Sequence, residues 1–199
     1  DLLSEKTDPL ITFEDIYTKF NKKLLITATC LQDGLTIFST EKTPTMPIYY
    51  AVMSSMALPF IFPPIVYNHK NYVDGGVLNN FPVKLLDPNK SILGLKVTSK
   101  DINNDYTSVF TYVSKLFQLI SNQTSKLHGE IGKVIIIECK DYNFIDFDMS
   151  IDDKITLYKR GYRSIDSYVC KEITHGIVNG IIEEVMNLKT PKTPKILTK

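Results

Sequence analysis

The chain has 199 residues, of which 43% are hydrophobic and 23% charged, and a formal net charge of +1. That length and balance suit one globular domain with a sizeable core, and exclude a low-complexity or disordered polypeptide. A near-neutral charge gives no basic field for nucleic acid.

The longest near-apolar run, Ala57 to Tyr67, contains three prolines and is too short to span a bilayer. No secretory signal pattern opens the chain. Its start at Asp1 fits a piece of something longer. Cys30, Cys139 and Cys170 are odd in number and widely spaced. They suggest neither a disulfide framework nor a zinc site, and point to a reduced, intracellular setting.

After a leading loop, Thr12 and Asp15 form a capping pattern ahead of Phe13, Ile16, Tyr17 and Phe20, which predicts a helix over 13–20. Leu24–Leu31 is β-rich and apolar, and reads as a buried strand. Gln32-Asp33-Gly34 turns the chain into a second strand, Leu35–Ser39, which gives a hairpin. Pro47–Met56 reads as a helix with Pro in its first turn, ended by Pro59. Ser54 and Ser55 lie on it without the Gly-x-Ser-x-Gly elbow of a sheet-borne nucleophile, so they read as small packing residues.

Asn71–Val73 is a short β-type run that delivers Asp74 to Gly75 and Gly76. An Asp at a strand end, followed by two residues without side chains, can approach another backbone or a ligand closely. Asp-Gly-Gly is also ordinary turn chemistry. Pro82 and Asp87-Pro88 bracket a short connection, and Ser91–Thr98 is a further strand. Asp101–Asp105 starts like a calcium loop but lacks its Gly and final Glu, and is rejected as one.

Thr107–Leu127 has one apolar stripe and reads as a helix covering the sheet. Lys133–Cys139 is the last strand. The acidic loop Asp141–Asp153, with Asp146, Asp148, Asp152 and Asp153, reads as solvated charge and helix capping rather than a cation site, because Ser150-x-x-Asp153 opens a final helix. Tyr158, Tyr162, Ile165, Val169, Ile173 and Ile177 follow at helical spacing, and Gly176 and Gly180 are expected to bend or divide it. His69, His128 and His175 share no ligand spacing.

One ordered string stands out. Ala51, Ser54-Ser55, Pro59, Phe62-Pro63-Pro64, Tyr72, Asp74-Gly75-Gly76, Asn79-Asn80 and Pro82 together resemble the second half of the patatin-like phospholipase domain. Thr27 and Thr29 are similar to that family's Thr-rich strand, although Cys30 stands where an Asp is common. Gly161-Tyr162 is similar to a pair in its late helix. The resemblance runs from about Thr12 to Val169, with its strong motif in Ala51–Pro82.

The resemblance implies a three-layer α/β/α fold, here incomplete, with residues 1–188 the C-terminal part of the domain and 189–199 a Pro/Thr/Lys-rich tail or linker. It implies a lipid acyl hydrolase of phospholipase A or lysophospholipase type, working by a Ser–Asp dyad without a cofactor or metal. Asp74 would be the general base and Gly75 and Gly76 its motif, with phospholipid or lysophospholipid at a membrane surface as substrate. The nucleophilic Ser and the Gly-rich oxyanion segment would lie upstream. The 199 residues contain no Gly-x-Ser-x-Gly, so alone they are expected to be inactive. A non-catalytic binding module on the same scaffold, or acyl transfer to another acceptor, are the alternatives. The expected location is cytoplasmic or peripheral to a membrane, and any activating partner is unspecified.

Overall fold

The computed structural model describes residues 8–99, 112–113, 115–116, 119–120, 133–139, 141–142 and 148–189. The chain divides into two units, Asp1–Ile92 with Ile102–Lys133, and Leu93–Asp101 with Val134–Lys199.

In the first unit, α1 (Phe13–Phe20) opens with the expected reciprocal cap. The Asp15 amide donates to Thr12 Oγ1 at 3.2 Å, and the Thr12 amide donates to Asp15 Oδ2 at 2.9 Å. Two otherwise orphaned amides are satisfied this way. Thr12 also bridges Pro47, and the Ile48 amide donates to the Ile11 carbonyl at 2.9 Å. This two-residue seam joins the start of α1 to the start of α2 (Ile48–Met56).

The strands β1 (Leu25–Cys30) and β2 (Gly34–Ser39) form the expected hairpin, paired from Leu25↔Ser39 to Cys30↔Gly34. Gly34 has φ 87, a value that favours glycine. The other edge of β1 takes β4 (Lys70–Asp74), antiparallel, through Cys30↔Tyr72, Thr29↔Val73 and Ala28↔Asp74. A further strand, β3 (Ile65–Tyr67), completes the order β2-β1-β4-β3. The composition did not reveal β3. Its tight turn to β4 uses Asn68 and His69 at φ 47 and 60, where a glycine would have signalled the hairpin.

Side chains alternate across a strand. Ala28, Cys30, Phe38 and Tyr72 therefore fall on one face, where they bury against Phe13, Met46 and Ala51. Phe38 and Tyr72 meet edge to face, with ring centroids 5.2 Å apart. Ala51 and Ser54 are the buried residues of α2. Two short elements follow β4: α3 (Gly76–Asn79) and a 3-10 turn (Val83–Leu85). Neither was foreseen, since both fit within what reads as a connection.

In the second unit, β5 (Leu93–Ser99) pairs with β6 (Lys133–Cys139). A long helix, α4 (Ile151–Lys189), begins at the expected Ser150 cap, where Ser150 Oγ accepts the Asp153 amide at 3.1 Å. Arg160 Nη2 reaches Asp141 Oδ2 at 2.6 Å, and its guanidinium lies 5.3 Å from the Tyr142 ring centroid. Of the expected bend or division at Gly176 and Gly180, the division is absent: α4 runs through both as one helix. Of the helix expected over 107–127, the described positions are helical. Its remainder, residues 101–105, His128, Asp146 and the tail beyond 189 lie outside the described residues.

Candidate active site

Asp74 is the last residue of β4, and its backbone is fixed on two sides. Its Cα pairs with Ala28 of β1, and its amide donates to the Ala57 carbonyl, at the end of α2, at 2.9 Å. Its carboxylate is half-buried, and Oδ1 accepts the Gly76 amide at 2.5 Å. Burial raises its pKa above the usual carboxylate value, and the Gly76 hydrogen bond partly opposes the rise. Among the described residues it makes no ion pair.

The two glycines sit where space, rather than handedness, is short. Gly75 has a right-handed backbone, φ −64 and ψ −26. A Cβ on it would stand 2.7 Å from the Thr27 carbonyl oxygen and 2.9 Å from Thr27 Oγ1. A Cβ on Gly76 would stand 2.8 Å from Asp74 Oδ1 and 2.9 Å from Asn80 Oδ1. The strand-end Asp thus gains its close neighbours because the following residues have no side chains, as their pattern suggested. Asn80, whose side-chain amide flanks Gly76 as the Asp74 carboxylate does, carried no signal beyond its place in the motif.

Two polar atoms in this unit are buried without a hydrogen-bond partner among the described residues, Asn79 Oδ1 and Thr29 Oγ1. Asn79 is 3% exposed, and its amide donates to the Gly75 carbonyl at 2.9 Å.

The other candidates fall away from Asp74's chemistry. Ser54 is fully buried, and its hydroxyl donates to the Tyr50 carbonyl at 2.7 Å. His69 occupies the β3–β4 turn, and His175 is exposed on α4. Asp153 is occupied by Ser150 and Tyr142, whose hydroxyl donates to it at 3.1 Å.

The Asp-Gly-Gly of the string that carried the resemblance is thus a half-buried strand-end carboxylate, without an ion pair among the described residues, followed by two glycines in crowded positions. Residues 14–87 match the family model of the patatin-like phospholipases. This patatin-like segment contains Asp74, Gly75, Gly76 and the whole Ala51–Pro82 string.

Two viral relatives align over most of the chain. The probable lipid hydrolase 463L of Invertebrate iridescent virus 6 is 42% identical over 159 residues, 76% of this chain and 50% of its own length. The uncharacterized protein R571 of Acanthamoeba polyphaga mimivirus is 28% identical over 174 residues, 80% of this chain and 58% of its own. The chain spans about half the length of the curated relatives it matches. Among the described residues no helix is long and apolar enough to cross a membrane.

Proposed function

We propose that the chain is the Asp-bearing part of a lipid acyl hydrolase of phospholipase A or lysophospholipase type, with a three-layer α/β/α domain completed by a segment outside these 199 residues. The observation that carries this reading is Asp74 itself, desolvated at the end of β4 and without a cationic partner among the described residues, inside a patatin-like segment. The likeness to a probable lipid hydrolase supports the substrate class.

Ester cleavage needs a hydroxyl made nucleophilic by a base. Asp74 would take the proton of a Ser supplied by that outside segment as the Ser oxygen attacks the acyl carbonyl. The proton then passes to the leaving alcohol, and water releases the acyl group in a second step. An ordinary Asp, with a pKa of about 3.9, is a weak base near neutrality. The burial of Asp74 strengthens it. Gly75 and Gly76 keep the carboxylate approachable, and Asp74 needs no metal for this role. The reaction would take place in the cytoplasm or at a membrane surface, on phospholipid or lysophospholipid.

The test is fatty-acid release from phospholipid by the complete protein and by its Asp74→Asn variant. Loss of release with unchanged circular dichroism supports the dyad. Full activity in the variant removes Asp74 as the base. The 199-residue chain by itself should release nothing, and release by it would show a nucleophile within these residues.

One observation favours a second reading, a non-catalytic binding module. No Gly-x-Ser-x-Gly occurs in the 199 residues. Sequencing the coding region ahead of Asp1 decides between them, because a complete protein without a glycine-flanked Ser cannot run the dyad.

A further inference from the structure

The turn that leads from α2 to β3 is apolar, exposed and stiff. Pro59, Pro63 and Pro64 fix three φ angles and remove three amide donors. The Leu58 carbonyl accepts the amides of Ile61 at 3.2 Å and Phe62 at 3.0 Å, which closes the turn on itself. Phe60 sits at φ 70, a region that costs a bulky side chain free energy and persists only where the surroundings enforce it. It is 73% exposed, and Met56 just before the turn is 63% exposed. Phe62 and Val66 are exposed as well.

This turn adjoins the candidate base. Ala57, its first residue, accepts the Asp74 amide. The charge pattern is equally specific: from Thr43 to His69 there is no Asp, Glu, Lys or Arg. Protein interfaces surround an apolar centre with a polar, solvated rim. What points to lipid is that the turn adjoins the candidate base of a lipid hydrolase and would carry no charge into hydrocarbon, where charges are costly.

Building on the lipid hydrolase reading, we propose that the Pro-stiffened turn Ala57–Pro64 is the element that seats the protein on lipid. Phe60, with Met56 beside it, enters the acyl-chain boundary and sets Asp74 at the interface where the ester bonds lie.

The chain contains no Trp, so the Phe60→Trp variant carries a single fluorescent reporter at the turn. Tyr17→Trp, at an exposed position on α1, is the control. The probe is phosphatidylcholine vesicles, without anionic lipid. Emission of the Phe60→Trp variant should shift to the blue on vesicle addition, equally at low and high salt, while that of the Tyr17→Trp variant stays put. Phe60→Asn suits the positive φ and removes the ring, and should weaken vesicle partitioning roughly tenfold or more.

No shift in the Phe60→Trp variant, or an equal shift in the Tyr17→Trp control, overturns the proposal. So does a shift that requires anionic lipid and disappears with salt. Emission that is blue before lipid is added, in a chain that sediments as a dimer, assigns the turn to a second copy and also overturns it. Hydrolysis by the complete protein without a shift defeats the seating turn and leaves the hydrolase reading intact. A shift without hydrolysis does the reverse.

Discussion

Gly75 lies so close to Thr27 that a methyl group on it would stand 2.7 Å from the Thr27 carbonyl oxygen. The obstacle is backbone of β1, which cannot rotate aside. Gly75→Ala should therefore force β4 and β1 apart where Asp74 pairs with Ala28. Overpacking of this kind costs about 1–3 kcal/mol, and urea denaturation should show a lower midpoint with little change in slope.

Gly76→Ala should behave differently. Its new methyl would meet the side-chain oxygens of Asp74 and Asn80, and side chains can turn away. Stability should fall less than in Gly75→Ala, by under about 1.5 kcal/mol. The carboxylate would leave its place, so hydrolysis by the complete protein should drop at least tenfold through kcat. Equal stability losses in the two variants would show that Gly76 is not merely crowded by side chains.

Asp74 also makes a pH signature. Its folded pKa is raised, so the folded state holds the proton more tightly than the unfolded chain. The stability this contributes is complete below the unfolded carboxylate pKa and is lost as pH rises through the folded value. Asp74→Asn should accordingly be more stable than the parent at neutral pH, and the difference should shrink as pH falls through the carboxylate range. Chemical denaturation at several pH values measures it. In the complete protein, kcat/KM should rise with pH along an acid limb displaced above the ordinary Asp value.

Thr12→Ala removes the side-chain cap of α1. Capping groups of this type contribute about 1 kcal/mol. The midpoint of thermal unfolding should fall, with the loss of helix signal confined to a small part of the total. No change would mean that water replaces the cap without cost.

Local patterns foretold much of this architecture because local forces dominate it. The Thr12–Asp15 cap, the β1–β2 hairpin and β6 each follow from residues near one another in the chain. Long-range relations were out of reach. The Asn68-His69 turn hides β3, since it lacks the glycine that marks most two-residue hairpins, although Asn and His tolerate a positive φ better than most side chains. α3 is too short for any periodicity. Nothing in α4 indicated that it would pass through Gly176 and Gly180 unbroken, where propensity alone costs about 1 kcal/mol per glycine. At the candidate site, the motif singled out Asp74. That its carboxylate is half-buried, with no cation beside it among the described residues, depends on the packing of β1 and α2 around it, which no spacing encodes.

The seam at Ile11 and Thr12 bears on how the molecule can be trimmed. The family match begins at residue 14, and a shortened version starting there would keep every motif residue. It would nevertheless discard the carbonyl that Ile48 donates to and the strand bridge to Pro47. The front of α2 would then lose its backbone ties to the chain ahead of α1 and keep only the side-chain packing of Ile48, Tyr50 and Ala51, while the Ala57 carbonyl at its far end still accepts the Asp74 amide. A workable truncation point is therefore set by hydrogen bonds at Ile11 and Thr12, just ahead of the residue where the family match begins.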